Sequence, residues 1–89
     1  MTMAQRIEQK LIRTFKPVRL VVQDDSARHA GHAGARPGGE THFSVEIVSA
    51  VFAGQSAIDR QRAVYAALRD EMEDGVHALA LKTRAPAEA

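Results

Sequence analysis

Between Thr41 and Ser49 the chain reads THFSVEIVS, and the character of its side chains alternates at every step. Phe43, Val45 and Ile47 fall on one side, while His42, Ser44 and Glu46 fall on the other. In an extended chain successive side chains point to opposite faces, so this period of two predicts a strand with one buried face and one wet face. Such a strand needs an apolar layer against its buried side. Downstream, Phe52-Ala53-Gly54-Gln55-Ser56 is a turn that hands the chain to a helix carrying Arg60 and Arg62. Upstream lies a loop holding two of the four histidines, so a candidate site sits on either side of one central strand.

The remaining segments supply the layers. Thr2 to Phe15 predicts an amphipathic helix, with Thr2 as N-cap and Gln5 as its capping-box partner. Ile7, Leu11 and Phe15 form its apolar stripe, widened by Ile12, while Arg6, Glu8, Lys10 and Arg13 make a solvated face. Pro17 stops this helix and pushes Lys16 toward extended geometry. Val18 to Asp24 alternates as a first strand, with Val18, Leu20 and Val22 opposed to Arg19, Val21 and Gln23, and Asp24-Asp25-Ser26 ends it. Ser56 caps a second helix with Asp59 in its first turn and Ile58, Val64, Tyr65, Leu68 and Met72 as its stripe. That helix ends at Asp74-Gly75. Val76 to Thr83 is the third strand, with His77, Leu79 and Leu81 on one side, and the tail from Arg84 has room for one helical turn after Pro86. The order α-β-β-α-β predicts a single α/β (α+β) domain over residues 1–89, with one three-stranded mixed sheet backed by helices on one face. Its expected core includes Ile7, Leu11, Phe15, Leu20, Val45, Ile47, Leu68 and Leu79.

Composition narrows the chemistry. A chain of 89 residues is large enough to fold as one domain without a covalent staple. It has no cysteine, so it can form no disulfide and supply no thiolate of its own. A formal charge of +1 gives no broad field for nucleic acid or an anionic membrane. No apolar run approaches the roughly 20 residues of a membrane span, and the start lacks a signal-peptide core, so a cytoplasmic protein is expected. Without a cysteine nucleophile, paired acids beside a cleft or a triad-like set, the chain does not read as an enzyme, and no small-molecule substrate is expected.

Histidines are the residues left to weigh. Ala27 to Gly39, ARHAGHAGARPGG, is too rich in glycine for regular structure and long for a hairpin connection. Within it, Gly31-His32-Ala33-Gly34 matches the GxxG of nucleic-acid-binding KH domains, but Pro37-Gly38-Gly39 follows where a helix should open. His29 and His32 form an HxxH pair that would share a face on a helix; on a glycine-rich loop the spacing fixes nothing, and by itself it reads as two solvated rings. His77 stands at the start of the third strand, where it is either a partly buried ring bonded to backbone or a metal ligand. His42, opposite Phe43, reads as structural.

Taken together, several motifs make the chain resemble the BolA family over roughly residues 5 to 84. They are Asp24-Asp25-Ser26, the loop with His29, Gly39-Glu40-Thr41-His42-Phe43, Ile47-Val48-Ser49, Phe52-x-Gly54-x-Ser56, Arg60-x-Arg62, Val64-Tyr65 and Val76-His77-Ala78-Leu79. The resemblance implies a class II KH-like fold without a working GxxG loop. It also implies a partner of monothiol glutaredoxins in binding a shared [2Fe-2S] cluster, used in cluster trafficking, iron sensing or bacterial transcriptional control. The family's C-terminal histidine ligand falls on His77, and its variable loop ligand falls on His29, with His32 as the alternative. The glutaredoxin would add a cysteine and a glutathione thiol. Two imidazoles on one iron resemble Rieske-type ligation. The family usually has Arg-His-Arg where this chain has Arg60-Gln61-Arg62, which puts in doubt whatever that ring does at a partner or DNA surface.

A second class of function is a DNA-binding regulator, with Arg60, Arg62 and Arg69 meeting phosphates near a helix N-terminus. The low net charge, the interspersed Asp59, Asp70 and Glu71 and the lack of an exposed aromatic platform weigh against it. From the glycine content, residues 27–39 are expected to show the lowest hydrogen-exchange protection of any interior segment in the isolated chain, and more once the glutaredoxin is added. Equal protection in both states would mean that the loop takes no part in binding.

Overall fold

The computed structural model describes residues 1–26 and 41–89. In chain order it has α1 (Met3–Phe15), β1 (Arg19–Asp24), β2 (His42–Val48), a 3-10 turn (Ala50–Phe52), α2 (Ala57–Ala67), α3 (Arg69–Asp74), β3 (Ala78–Arg84) and a second 3-10 turn (Pro86–Glu88). The sheet order is β1-β2-β3, with β2 antiparallel to β1 and parallel to β3. This is the α+β architecture and mixed sheet that the sequence predicts, with the second helix divided at Leu68. The loop expected over 27–39, with its GxxG run, lies outside the described residues.

The central strand keeps its alternation. Phe43, Val45 and Ile47 are buried, whereas His42, Ser44 and Glu46 are only half-buried on the opposite face. Helix α1 lays Met3, Ile7, Leu11 and Phe15 into the core. Its first turn is closed by the capping box, with Gln5 N–H donating to Thr2 Oγ1 at 3.1 Å and Thr2 N–H donating to Gln5 Oε1 at 2.8 Å. Ser49 joins this helix to the sheet, its hydroxyl donating to the Phe15 carbonyl at 2.6 Å, and the Phe15 and Phe52 rings meet with centroids 5.2 Å apart.

Several expectations are corrected. Lys16 is not extended but left-handed, at φ 46° and ψ 57°, because its N–H still bonds to Ile12 while the following proline disfavours the right-handed helical region. Ile12 is exposed, so α1 buries a narrow i, i+4 stripe. Arg6 and Lys10 are not simply solvated. Arg6 Nη2 lies 3.0 Å from Glu71 and 2.8 Å from Asp74, and Lys10 Nζ lies 3.3 Å from Glu71, a carboxylate buried on α3. Val76 is buried and His77 exposed, the reverse of their predicted faces, because regular pleating starts only at Ala78. Of the predicted core set, all but Leu20 are buried; Leu20 packs partly covered against the cluster.

The largest difference is on α2. Ser56 caps the helix as predicted, accepting from Asp59 N–H at 3.1 Å. The inward line, however, runs Arg60-Val64-Leu68 at four-residue spacing, and Ile58 is left 60% exposed. Arg60, expected on an open basic surface, is only 9% exposed. Its guanidinium forks onto Glu88, with Nη1 to Oε1 at 2.6 Å and Nη2 to Oε2 at 2.8 Å, and Glu88 Oε1 also accepts from Ala85 N–H at 3.0 Å. The hydrogen bonds and charge from Arg60 hold the Glu88 carboxyl at about 2, below its usual 4.5. A depressed carboxylate stabilises the fold above its unfolded pKa, and that contribution is lost as pH falls through the folded value. Glu88→Gln is therefore expected to lower stability near neutral pH and to flatten its decline between about pH 4.5 and 2 in acid-dependent thermal melts.

Candidate functional site

The end of the sheet where β2 and β3 begin is assembled by a short turn after β1. Asp24 Oδ1 accepts from Ser26 N–H at 2.8 Å, which folds the chain back on itself. The Asp25 N–H donates to the His42 carbonyl at 2.7 Å, and its carboxylate accepts from the Ser44 hydroxyl. Ser26 is buried, and its hydroxyl oxygen accepts from Thr41 N–H at 2.9 Å and His42 N–H at 3.2 Å. All three residues of the Asp24-Asp25-Ser26 motif thus fix where β2 starts.

Thr41 carries the construction across to β3. It is fully buried, and its carbonyl accepts from His77 N–H at 2.7 Å and Ala78 N–H at 3.2 Å. Its hydroxyl lies 2.8 Å from His42 Nδ1. In the parallel register His42 stands opposite Ala78, so residue 77 falls directly beside the same strand end. The His42 and His77 rings consequently lie nearly parallel, 16° apart in plane, with centroids 6.3 Å apart. His77 is exposed and His42 half-buried.

Of the predicted ligands, the described structure holds His77, at an exposed position set by a backbone bond to Thr41, just before the second strand. His29 and His32 lie outside the described residues. The residue that sequence reasoning set aside is His42. Its spacing from Phe43 marks only the wet face of a strand, and nothing local signals that position 77 lies next to it. No group of three or more His, Cys, Asp or Glu side chains able to hold a metal occurs among the described residues, where His42 and His77 are the imidazoles that lie side by side.

Of the basic set on α2 and α3, Arg60 departs from the expected open surface. Arg60 is committed to Glu88, while Arg62 and Arg69, with side chains 79% and 80% exposed, lie 3.9 Å from Asp59 and 3.5 Å from Glu73. No described helix is long and apolar enough to cross a membrane.

Comparison with known proteins places this architecture in a family. The BolA-like protein profile matches residues 11–88, and the chain belongs to the BolA family. It is 46% identical over 87 residues to chloroplastic BOLA1 of Arabidopsis thaliana, covering 96% of this chain and 54% of that protein. It is 45% identical over 83 residues to the DNA-binding transcriptional regulator BolA of Escherichia coli K12, covering 93% of this chain and 75% of that one. The solved structure of BolA1 from Arabidopsis thaliana superposes with a TM-score of 0.88 at 39% identity, covering 100% of this chain and 98% of that one. The chain spans about half the length of chloroplastic BOLA1, and 24% of the chloroplastic/mitochondrial SufE-like protein 1 that it also matches.

Ser26→Ala removes the acceptor for two N–H groups at this strand end. An expected loss of about 1–3 kcal/mol, with faster hydrogen exchange at Thr41 and His42, would confirm that the serine hydroxyl holds the site. Unchanged exchange at both amides would show that it does not.

Proposed function

We propose that this chain is the cysteine-free half of a complex with a monothiol glutaredoxin that holds a shared [2Fe-2S] cluster, used in cluster trafficking or iron sensing. The observation that carries this reading is His77, an exposed imidazole whose backbone is pinned to Thr41 in a BolA-family fold. Imidazole replaces thiolate on one iron of Rieske-type clusters, so the donors present fit the group. The chain has no cysteine, so the partner's cysteine and glutathione would supply the thiolates. By family resemblance the second imidazole comes from His29, with His32 as the alternative. A protein acting in this way needs no catalytic group of its own, and we place it in the cytoplasm.

A second reading is DNA binding, supported by the name of the Escherichia coli relative. Arg62 and Arg69 would then meet phosphates, without the contribution of Arg60. Phosphate contacts give affinity that falls steeply with salt, so the dependence of any DNA binding on salt separates the two readings.

Anaerobic co-purification with a monothiol glutaredoxin and glutathione is expected to yield a mixed complex with the visible spectrum of one [2Fe-2S] cluster. His77→Ala should abolish that spectrum and leave the far-ultraviolet circular dichroism intact. A mixed-complex spectrum unchanged by His77→Ala would sink the assignment and favour the regulator.

A further inference from the structure

We propose that the outer edge of β3 is a docking site for an extended, acidic segment of another protein, which pairs with it as a fourth strand. This stands apart from the cluster reading, since no histidine takes part.

The backbone provides the template. Strand β3 forms one border of the sheet and is bonded to β2 on one side only. Ala78 N–H donates to the Thr41 carbonyl at 3.2 Å, and the Arg84 carbonyl accepts from Ser49 N–H at 3.0 Å. Residues of a parallel strand alternate in which side their polar groups face. Ala78, Ala80, Lys82 and Arg84 therefore bond toward β2, while Leu79, Leu81 and Thr83 aim outward. The Leu79 carbonyl is met by the Tyr65 hydroxyl at 3.2 Å. Leu81 and Thr83 have no outward hydrogen bond among the described residues. An edge left open in this way can take one more strand.

The side chains select the occupant. Ala78, Ala80, Lys82 and Arg84 stand exposed along the wet face of this edge. Glu46 lies opposite Lys82 in the register but is engaged by Arg19 at 3.4 Å and Arg84 at 3.8 Å. Lys82 has no carboxylate within ion-pair distance among the described residues, so the strands put three cations on this face against one anion. Next to them, the small Ser44 and Ala80 leave a hollow of about 360 Å³ reaching to Val21 and Gln23. The complement is a strand with acidic side chains beside Lys82 and Arg84 and a larger apolar one beside Ala80.

Other occupants fit less well. Pairing of β3 with a second copy of itself would gather two Lys82 and two Arg84 side chains on one continuous face, and like charges across strands are destabilising. A lysine on an edge strand discourages neutral and basic strands in the same way. The opposite border, β1, offers on this face only Arg19, already met by Glu46, and the uncharged Val21 and Gln23.

The probe is a capped peptide of seven residues, the length of β3, with leucine at both ends, glutamate third and fifth, and threonine elsewhere. Its pattern reads the same in either strand direction. Added to the full chain at low salt, it is expected to slow hydrogen exchange at the Leu81 and Thr83 amides at least fivefold and to leave the β1 edge unchanged. Lys82→Glu, with its fold checked by circular dichroism, should weaken binding of this peptide at least tenfold and admit the peptide carrying lysine in place of glutamate. The glutamate peptide N-methylated at every amide keeps its charges but has no N–H to give, and should not protect the edge. No added protection at Leu81 and Thr83, equal protection by the lysine or the methylated peptide, or binding unaffected by Lys82→Glu would overturn the proposal. Protection of the same amides that grows with protein concentration in the absence of peptide would also overturn it, in favour of a second copy of this chain.

Discussion

Strand β2 is hydrogen-bonded to β1 along one edge and to β3 along the other, and the rest of the molecule is arranged around that double pairing. Phe43, Val45 and Ile47 make one face of β2 obligatorily dry, so α1 and α2 must cover it. The opposite face carries His42, Ser44 and Glu46. Glu46 there meets Arg19 from β1 at 3.4 Å and Arg84 from β3 at 3.8 Å, so the wet side is laced across all three strands. The candidate site lies where this strand begins, because Thr41, one residue before it, is the point at which the turn after β1 and the approach to β3 meet.

Charge closes the fold where apolar surface runs out. Glu71 is buried on α3 and draws Arg6 and Lys10 from α1, tying the first helix to the last one in the chain. Arg60 occupies a core-facing position of α2 and is met by Glu88 from the turn after β3. A buried charge without its partner is costly, so these pairs act chiefly as constraints on which segments may lie together.

The fold was legible because its main elements obey simple periods. The alternation at Thr41 to Ser49, the four-residue stripe of Ile7, Leu11 and Phe15, and the caps at Thr2 and Ser56 each follow from local rules that the tertiary structure leaves in force. Where local reading went astray, a distant residue had intervened. Ile58 looked like the first residue of the apolar stripe of α2 because Arg60 cannot be recognised as inward-facing until Glu88, 28 positions later, is seen to neutralise it. No glycine or proline marks Leu68, so nothing in the sequence announced the division of the helix there. The candidate site shows the same limit. The motif resemblance pointed to His77, but the proximity of His42 depends on the register between two strands separated by two helices, which no local pattern encodes.

Strands that run parallel start at the same end of a sheet, whatever lies between them. His42 and His77 are neighbours because each stands at the entrance to its strand, and the intervening chain of turns and helices contributes nothing to their separation. Were β3 to run the other way, the entrances would lie on opposite ends of a seven-residue strand, about 23 Å apart. This arrangement separates two kinds of variation. Lengthening or shortening α2 or α3 changes the helical face and leaves the imidazoles where they are. A slip of one residue between β2 and β3 turns Leu79 and Leu81 away from the core and sets Val76 or Ala78 where His77 stands. The residues that most strictly guard the site are therefore those that lock the register, and none of them needs to touch what the site binds.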